Sequence, residues 1–348
     1  MRHLKLSSAG VIFLLFVLTP SLVAQKSKAL MYMEKINREM DAITADSWEY
    51  TSEVAHGKNA RKVETKRREL VRTSKMAMEK VGRMDAFEGS TQFRDSMVSY
   101  LRIHYLVLNE DYEKILNMEE IAEQSYDRME AYLLAKELAD DKLDEAGERM
   151  QEQQKQFAAA NNINLLTSTD KVTIKLEKAG EVMKHYNVVY LIFFKCFKQE
   201  AYLIDASNKK DINAMEQNKN ALISASEEGL DKLKGVPAYK GDKSLVYACK
   251  SCLDFYHQEA SVKMDGVIDF YLQDENFKKL KASFDLKPQK ERTNADVSEY
   301  NDAVKELNRK LNAFNKQNDG MNKARTGALN DWDRTAKNFL DKHIPKYK

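Results

Sequence analysis

Two stretches of the chain, residues 78–105 and 230–257, follow one plan at a constant spacing of 152 positions. Each centres on an aromatic two places before a glycine, Phe87 with Gly89 and Tyr239 with Gly241, and a helix-capping residue comes next, Ser90 or Asp242. Glycine after one helix and Ser or Asp before another mark a helix end met directly by a helix start. The same spacing pairs Tyr50 with Tyr202, Glu64 with Glu216, Leu70 with Leu222 and Ser74 with Ser226. A chain repeated at this interval is expected to fold as two similar units in tandem.

What each unit is made of follows from the breakers. Only Pro237 and Pro288 lie between the first 24 residues and Pro345, and no two of the 12 glycines are closer than six positions. That spacing permits long helices, and β-branched runs bounded by turn pairs are absent. The chain reads as all-α.

In the first copy a helix is expected over 27–55, with Met33, Ile36, Met40 and Ile43 at three- and four-residue steps, ending at a turn over His56, Gly57, Lys58 and Asn59. A second carries Val63, Leu70, Ala77, Val81 and Met84 on one face, and a third runs from Ser90 through Phe93, Met97, Leu101, Leu108 and Ile115. A fourth holds Leu143, Met150 and Phe157 and stops at Asn161 and Asn162. In the second copy helices are expected over 171–206, 211–234 and 242–285. After a polar loop at 286–294, helical spacing resumes with Val297, Tyr300, Val304, Leu307, Leu311 and Phe314. Matching Phe157 to Phe314 places the first copy's last turn at 136–141. Past Gly320 a terminal amphipathic helix carries Trp332, Ala336, Phe339 and Leu340. The expected architecture is therefore two four-helix units, 25–162 and 171–319, plus a C-terminal helix over 320–348.

One segment departs from this amphipathic scheme. Residues 188–194 read VVYLIFF, whereas the matching 36–42 read INREMDA. A helix that is apolar all round is buried all round, so the spare face is expected to pack on the other repeat or on a second copy, giving a homodimer.

The first 24 residues have the layout of a secretory leader: Arg2, His3 and Lys5, the apolar run 11–18, and a small-residue exit at Ala24. The run is short for a membrane span, and no transmembrane segment is expected after cleavage. Basic and acidic residues number 56 and 54, a balance that argues against a nucleic-acid partner.

Chemistry-bearing patterns are few. Cys249 and Cys252 have CxxC spacing inside a helix without a second pair or a following His, which suits small core residues better than a metal or redox site. An oxidising compartment would allow one bridge, from Cys196 to Cys249 or to Cys252. Asp254 and His257 stand one turn apart beside Glu259, a fragment of the set a bundle metal site needs, and Glu181 with His185 stands one turn apart on another helix. No nucleophile elbow, phosphate loop or HExxH segment occurs, and no cofactor is expected. Trp48 and Tyr50 read as core.

The sharper feature is an imbalance between the copies. The second helix carries Lys58, Arg61, Lys62, Lys66, Arg67, Arg68, Arg72 and Lys75 against Glu64 and Glu69, while its counterpart is near neutral. At about 100° per residue Arg61, Arg68, Arg72 and Lys75 share a narrow arc opposite the apolar stripe. They are the anion-binding candidates, since guanidinium groups pair bidentately with phosphate and carboxylate. The bland reading is a compensated face, balanced by the acidic stretch 119–148.

Three segments carry a resemblance: TSEVAHGKNARKVETKRREL (51–70), LNEDYEKI with MEEIAEQSYDRMEAYLLA (108–135), and IFFKCFKQEAYLIDA (192–206). They resemble a family of exported bacterial proteins labelled surface proteins after leptospiral members and found also in Bacteroidetes. The resemblance spans nearly the whole mature chain, implies an envelope location in the periplasm or at the cell surface, and supplies no catalytic residue or cofactor. The resulting expectation is a non-enzymatic helical scaffold or binding module for an envelope protein or an anionic glycan or lipid. A helical metal- or haem-binding protein is the alternative.

Overall fold

The computed structural model of the protein describes residues 27–56, 60–166 and 170–344. Residues 1–24, read above as a leader, and the turn at 57–59 lie outside the described residues. Within them every regular element is helical: α1 (Lys28–His56), α2 (Ala60–Gly82), α3 (Gln92–Leu106), α4 (Tyr112–Ala122), α5 (Tyr126–Ala160), α6 (Lys171–Lys209), α7 (Ile212–Lys234), α8 (Ser244–Gln258), α9 (Met264–Leu286) and α10 (Asn294–His343). None of these is long and apolar enough to cross a membrane.

The expected stripes are the core. Met33, Ile36, Met40 and Ile43 of α1, and Val63, Leu70, Ala77 and Val81 of α2, are all buried. α1 packs on α2, α2 on α3, and α3 and α4 on α5, while α7 packs on α8 and α9. Trp48 and Tyr50 are each 2% exposed, in the core as their sequence setting suggested.

α3 runs into α4, and α8 into α9, through single widened turns of π type, Val107–Asp111 and Glu259–Lys263. Such a turn carries one extra residue and loosens the carbonyl ladder. Buried Arg67 uses the first of them, donating from Nη1 to the Leu108 carbonyl at 2.6 Å. α2 and α7, α3 and α8, and the two π turns each begin and end 152 positions apart.

The two glycine corners share a backbone. Phe87 and Ser90 exchange two backbone hydrogen bonds of 2.9 Å, with Glu88 at φ 51° and Gly89 at φ 85°. Tyr239 and Asp242 do the same at 3.1 and 2.9 Å, with Lys240 at 48° and Gly241 at 85°. Two successive positive φ values make a primed turn, whose second position glycine occupies without strain. Ser90 and Asp242 then accept the amides of Gln92 and Ser244, the first residues of the following helices.

Three expectations are corrected. The first copy's last turn is at 123–125, and 136–141 lies in the middle of α5. Ser125 sets the start of α5 by accepting the Arg128 amide, with Asp127 in the first turn, and this turn has no equivalent 152 positions on, within α9. Second, no break occurs at Gly320, and α10 runs unbroken for 50 residues, because a lone helical glycine costs only about 1 kcal/mol and the heptad stripe continues through it. Third, the chain divides into compact units inside helices and not at the 163–170 link. One unit comprises 27–187 with 338–344 of the described residues, and the other is Val188–Lys337.

The apolar run 188–194 belongs to the second unit, and helices of that same unit pack on Val189, Ile192 and Phe193. Phe193 stacks on Trp332 of α10 with ring centroids 4.3 Å apart. The Cys249 thiol of α8 donates to the Val189 carbonyl at 3.8 Å. A Cβ built on Gly229 of α7 would lie 3.2 Å from Ile192 and 2.6 Å from Leu253. Three neighbours of the same unit therefore cover most of the run, while Val188 is 52% exposed.

Candidate functional site

The basic residues of α2 divide into an inward and an outward set. Lys66 is held between Glu49 and Glu69 at 2.6 and 2.8 Å, and these two carboxylates raise its pKa. Arg67 reaches inward to Glu64 and the Leu108 carbonyl. Lys80 meets Glu39 of α1 at 2.9 Å. The partners of this inward set come from α1 and from α2 itself; the acidic stretch 119–148, expected to balance the helix, supplies none of these pairs.

Arg61, Arg68, Arg72 and Lys75 form the outward set, and all four are exposed. Arg68 makes one contact, to Glu64 at 2.7 Å, and stays 76% exposed. The face ends at Arg83, which meets Glu79 at 3.5 Å.

The metal candidates are placed on a surface. Asp254 takes Lys250 at 2.6 Å and is half exposed; His257 Nε2 meets Glu227 Oε1 of α7 at 3.3 Å. Each is engaged by a neighbour one turn or one helix away, and no group of three metal-ligating side chains occurs among the described residues. Glu181 and His185 lie in the other unit, where the His185 ring is 5.6 Å from that of Phe339.

The cysteines sit in the core, and the bridge an oxidising compartment would allow is not formed in this structure. Cys196, Cys249 and Cys252 are free and buried. Cys249 is directed at the Val189 carbonyl and Cys252 at that of Ala328, 3.4 Å away on α10. Thiols turned toward carbonyls of different helices are not presented to one another, and burial pushes Cys196 and Cys252 each up to about 12.

Sequence reasoning missed the most charged interior site. Arg325 of α10 donates from Nε to Glu200 of α6 at 2.5 Å and from Nη2 to Glu259, the first residue of the second π turn. Both carboxylates are almost fully enclosed, at 2% and 1% exposed. Burial, then the charge of Glu200, push Glu259 up to about 8 against the pull of Arg325. Holding its proton, Glu259 adds no further negative charge beside Arg325 and Glu200, which suits a buried position. Its other oxygen and the Tyr256 hydroxyl have no hydrogen-bond partner. The signal present in the sequence was an Arg on the apolar stripe of a heptad helix, between Met321 and Ala328.

The first unit buries charge differently. The Tyr112 hydroxyl donates to Asp140 Oδ1 at 2.8 Å. Burial pushes Asp140 up to about 7, opposed by Tyr112 and by Lys136. His104 is fully buried, and burial holds it down to about 4, so it is neutral near pH 7. Ser74 Oγ donates to the Leu70 carbonyl at 2.7 Å and lies 2.9 Å from His104 Nδ1; the imidazole therefore carries its proton on Nδ1.

Both interior clusters are enclosed, whereas Arg61, Arg68, Arg72 and Lys75 of α2 are exposed. Comparison with protein-family models, with curated proteins and with solved structures finds no match.

Proposed function

We propose that this chain is an exported, non-enzymatic binding module of the bacterial envelope, working in the periplasm or at the cell surface, and that α2 engages an anionic glycan, lipid or protein. The observation supporting this reading is that Arg61, Arg68, Arg72 and Lys75 stay on the exposed face while Lys66 and Arg67 are consumed internally. Guanidinium and ammonium groups at successive turns form a row of donors suited to repeated carboxylate or phosphate groups. Export rests on the leader at 1–24 and on the resemblance to exported surface proteins. The shared 152-residue spacing is taken as the trace of a duplicated four-helix ancestor, of which only the first copy carries the basic row.

The test is retention of the mature chain by an anionic polysaccharide matrix and by vesicles with and without phosphatidylglycerol. Binding should weaken steeply with salt and be lost in R61Q/R68Q/R72Q/K75Q, with helix content unchanged. Equal retention of that variant, or no retention of the wild type, would overturn the proposal.

A further inference from the structure

The second unit leaves part of itself unpacked. No residue between Tyr271 and Met321 is buried, although both helices there are rich in apolar side chains. They meet each other antiparallel: Phe270 stacks on Phe314 at 4.5 Å, Phe284 stacks on Tyr300 at 4.5 Å, and Phe277 lies 5.8 Å from Tyr300.

α10 has a strict seven-residue pattern through this stretch. Tyr300, Leu307 and Phe314 share the face directed at α9, and each is half-buried. Val297, Val304 and Leu311 recur at the same period one position round, and Val297 and Leu311 remain 41% and 37% exposed. Beside them Asn301, Asn308 and Asn315 recur every seventh residue, all exposed. These six side chains share an arc of about 80° on the helix. No Asp, Glu, Lys or Arg falls inside that arc between positions 294 and 318.

A heptad-spaced apolar ribbon with its own amide edge fits another helix, and its electrostatics select which one. A charged partner strip would find no counter-charge here. The same strip on a second copy meets no like charge, and asparagine amides, each donor and acceptor, satisfy one another. Under a two-fold axis near Val304 the ribbon is self-complementary, as an isologous contact requires. We propose that this protein self-associates through α10, with the ribbons of two copies packed antiparallel about Val304.

The test is sedimentation and light scattering of the mature chain across concentration. The wild type should approach twice the single-chain mass as concentration rises. V304K/L311K should stay at one chain with unchanged helix content and thermal midpoint. Val304→Cys, on the proposed axis, should cross-link to its counterpart under mild oxidation, because the native thiols are buried. A wild type that keeps one-chain mass at every concentration overturns the proposal; so does a dimer that persists in V304K/L311K or that V304C cannot cross-link.

Discussion

Replacing Glu259 by Gln should flatten the pH dependence of the second unit's stability. In the wild type the folded carboxyl holds its proton up to about pH 8, whereas its ordinary value is 4.5. Because the folded state binds the proton more tightly, this group's contribution is fully present below about pH 4.5, falls as pH rises, and is exhausted above about pH 8. At about 1.4 kcal/mol per pH unit the loss across that window is on the order of 5 kcal/mol. Glutamine keeps an oxygen for Arg325 and carries no charge, so it imitates the protonated acid at every pH. The assay is urea unfolding at pH 5, 7 and 9 in a Trp48→Phe background, which leaves Trp332, stacked on Phe193 in the second unit, as the only tryptophan. The wild type should lose stability from pH 5 to 9 and Glu259→Gln should lose far less, becoming the more stable protein above pH 8. Equal slopes would show that Glu259 ionises freely and that the buried-pair reasoning is wrong.

Other outcomes follow from packing. Gly229→Ala should destabilise by about 1–3 kcal/mol through overlap with Leu253 and Ile192, even though alanine is the better helix former; Gly320→Ala, with open space around it, should stabilise by up to about 1 kcal/mol. Chemical denaturation of the two variants measures both. Arg67→Met should cost roughly 1.5–3 kcal/mol by leaving the buried Leu108 carbonyl without its charged donor, and amide exchange should quicken around the first π turn. Native Cys196, Cys249 and Cys252 should resist a maleimide at pH 8 and all three react in denaturant, since burial holds each thiol protonated; labelling followed by mass measurement decides it.

Much of the fold was legible because helix periodicity is a local property. The stripes Met33 to Ile43 and Val63 to Val81 could be read off directly, as could the corners at Gly89 and Gly241, where a positive φ leaves a glycine in the sequence. The turn at 123–125 was misplaced because its one mark, the Ser125 cap, is a weaker signal than proline, and because the second copy turns elsewhere. Gly320 looked like a terminus, but a single helical glycine is overruled by the stripe on either side. Of the candidate site, the outward row of α2 followed from angle alone. The inward fate of Lys66 and Arg67 did not, because their partners, Glu49 and the Leu108 carbonyl, arrive from other helices.

The sequence by itself determined an all-helical chain, its repeat spacing, its core stripes and the basic arc of α2, since each depends on residues within a few turns of one another. Only the tertiary structure decided that α7, α8 and α10 pack on Val189, Ile192 and Phe193 of the apolar run 188–194, that three cysteines stay free, and that Arg325 joins Glu200 to Glu259. Those outcomes bring together residues more than 100 positions apart, such as Glu200 with Arg325 and Phe193 with Trp332, and burial there changes the chemistry itself: the carboxyl that water would ionise keeps its proton when the only charges it can meet are one guanidinium and another acid.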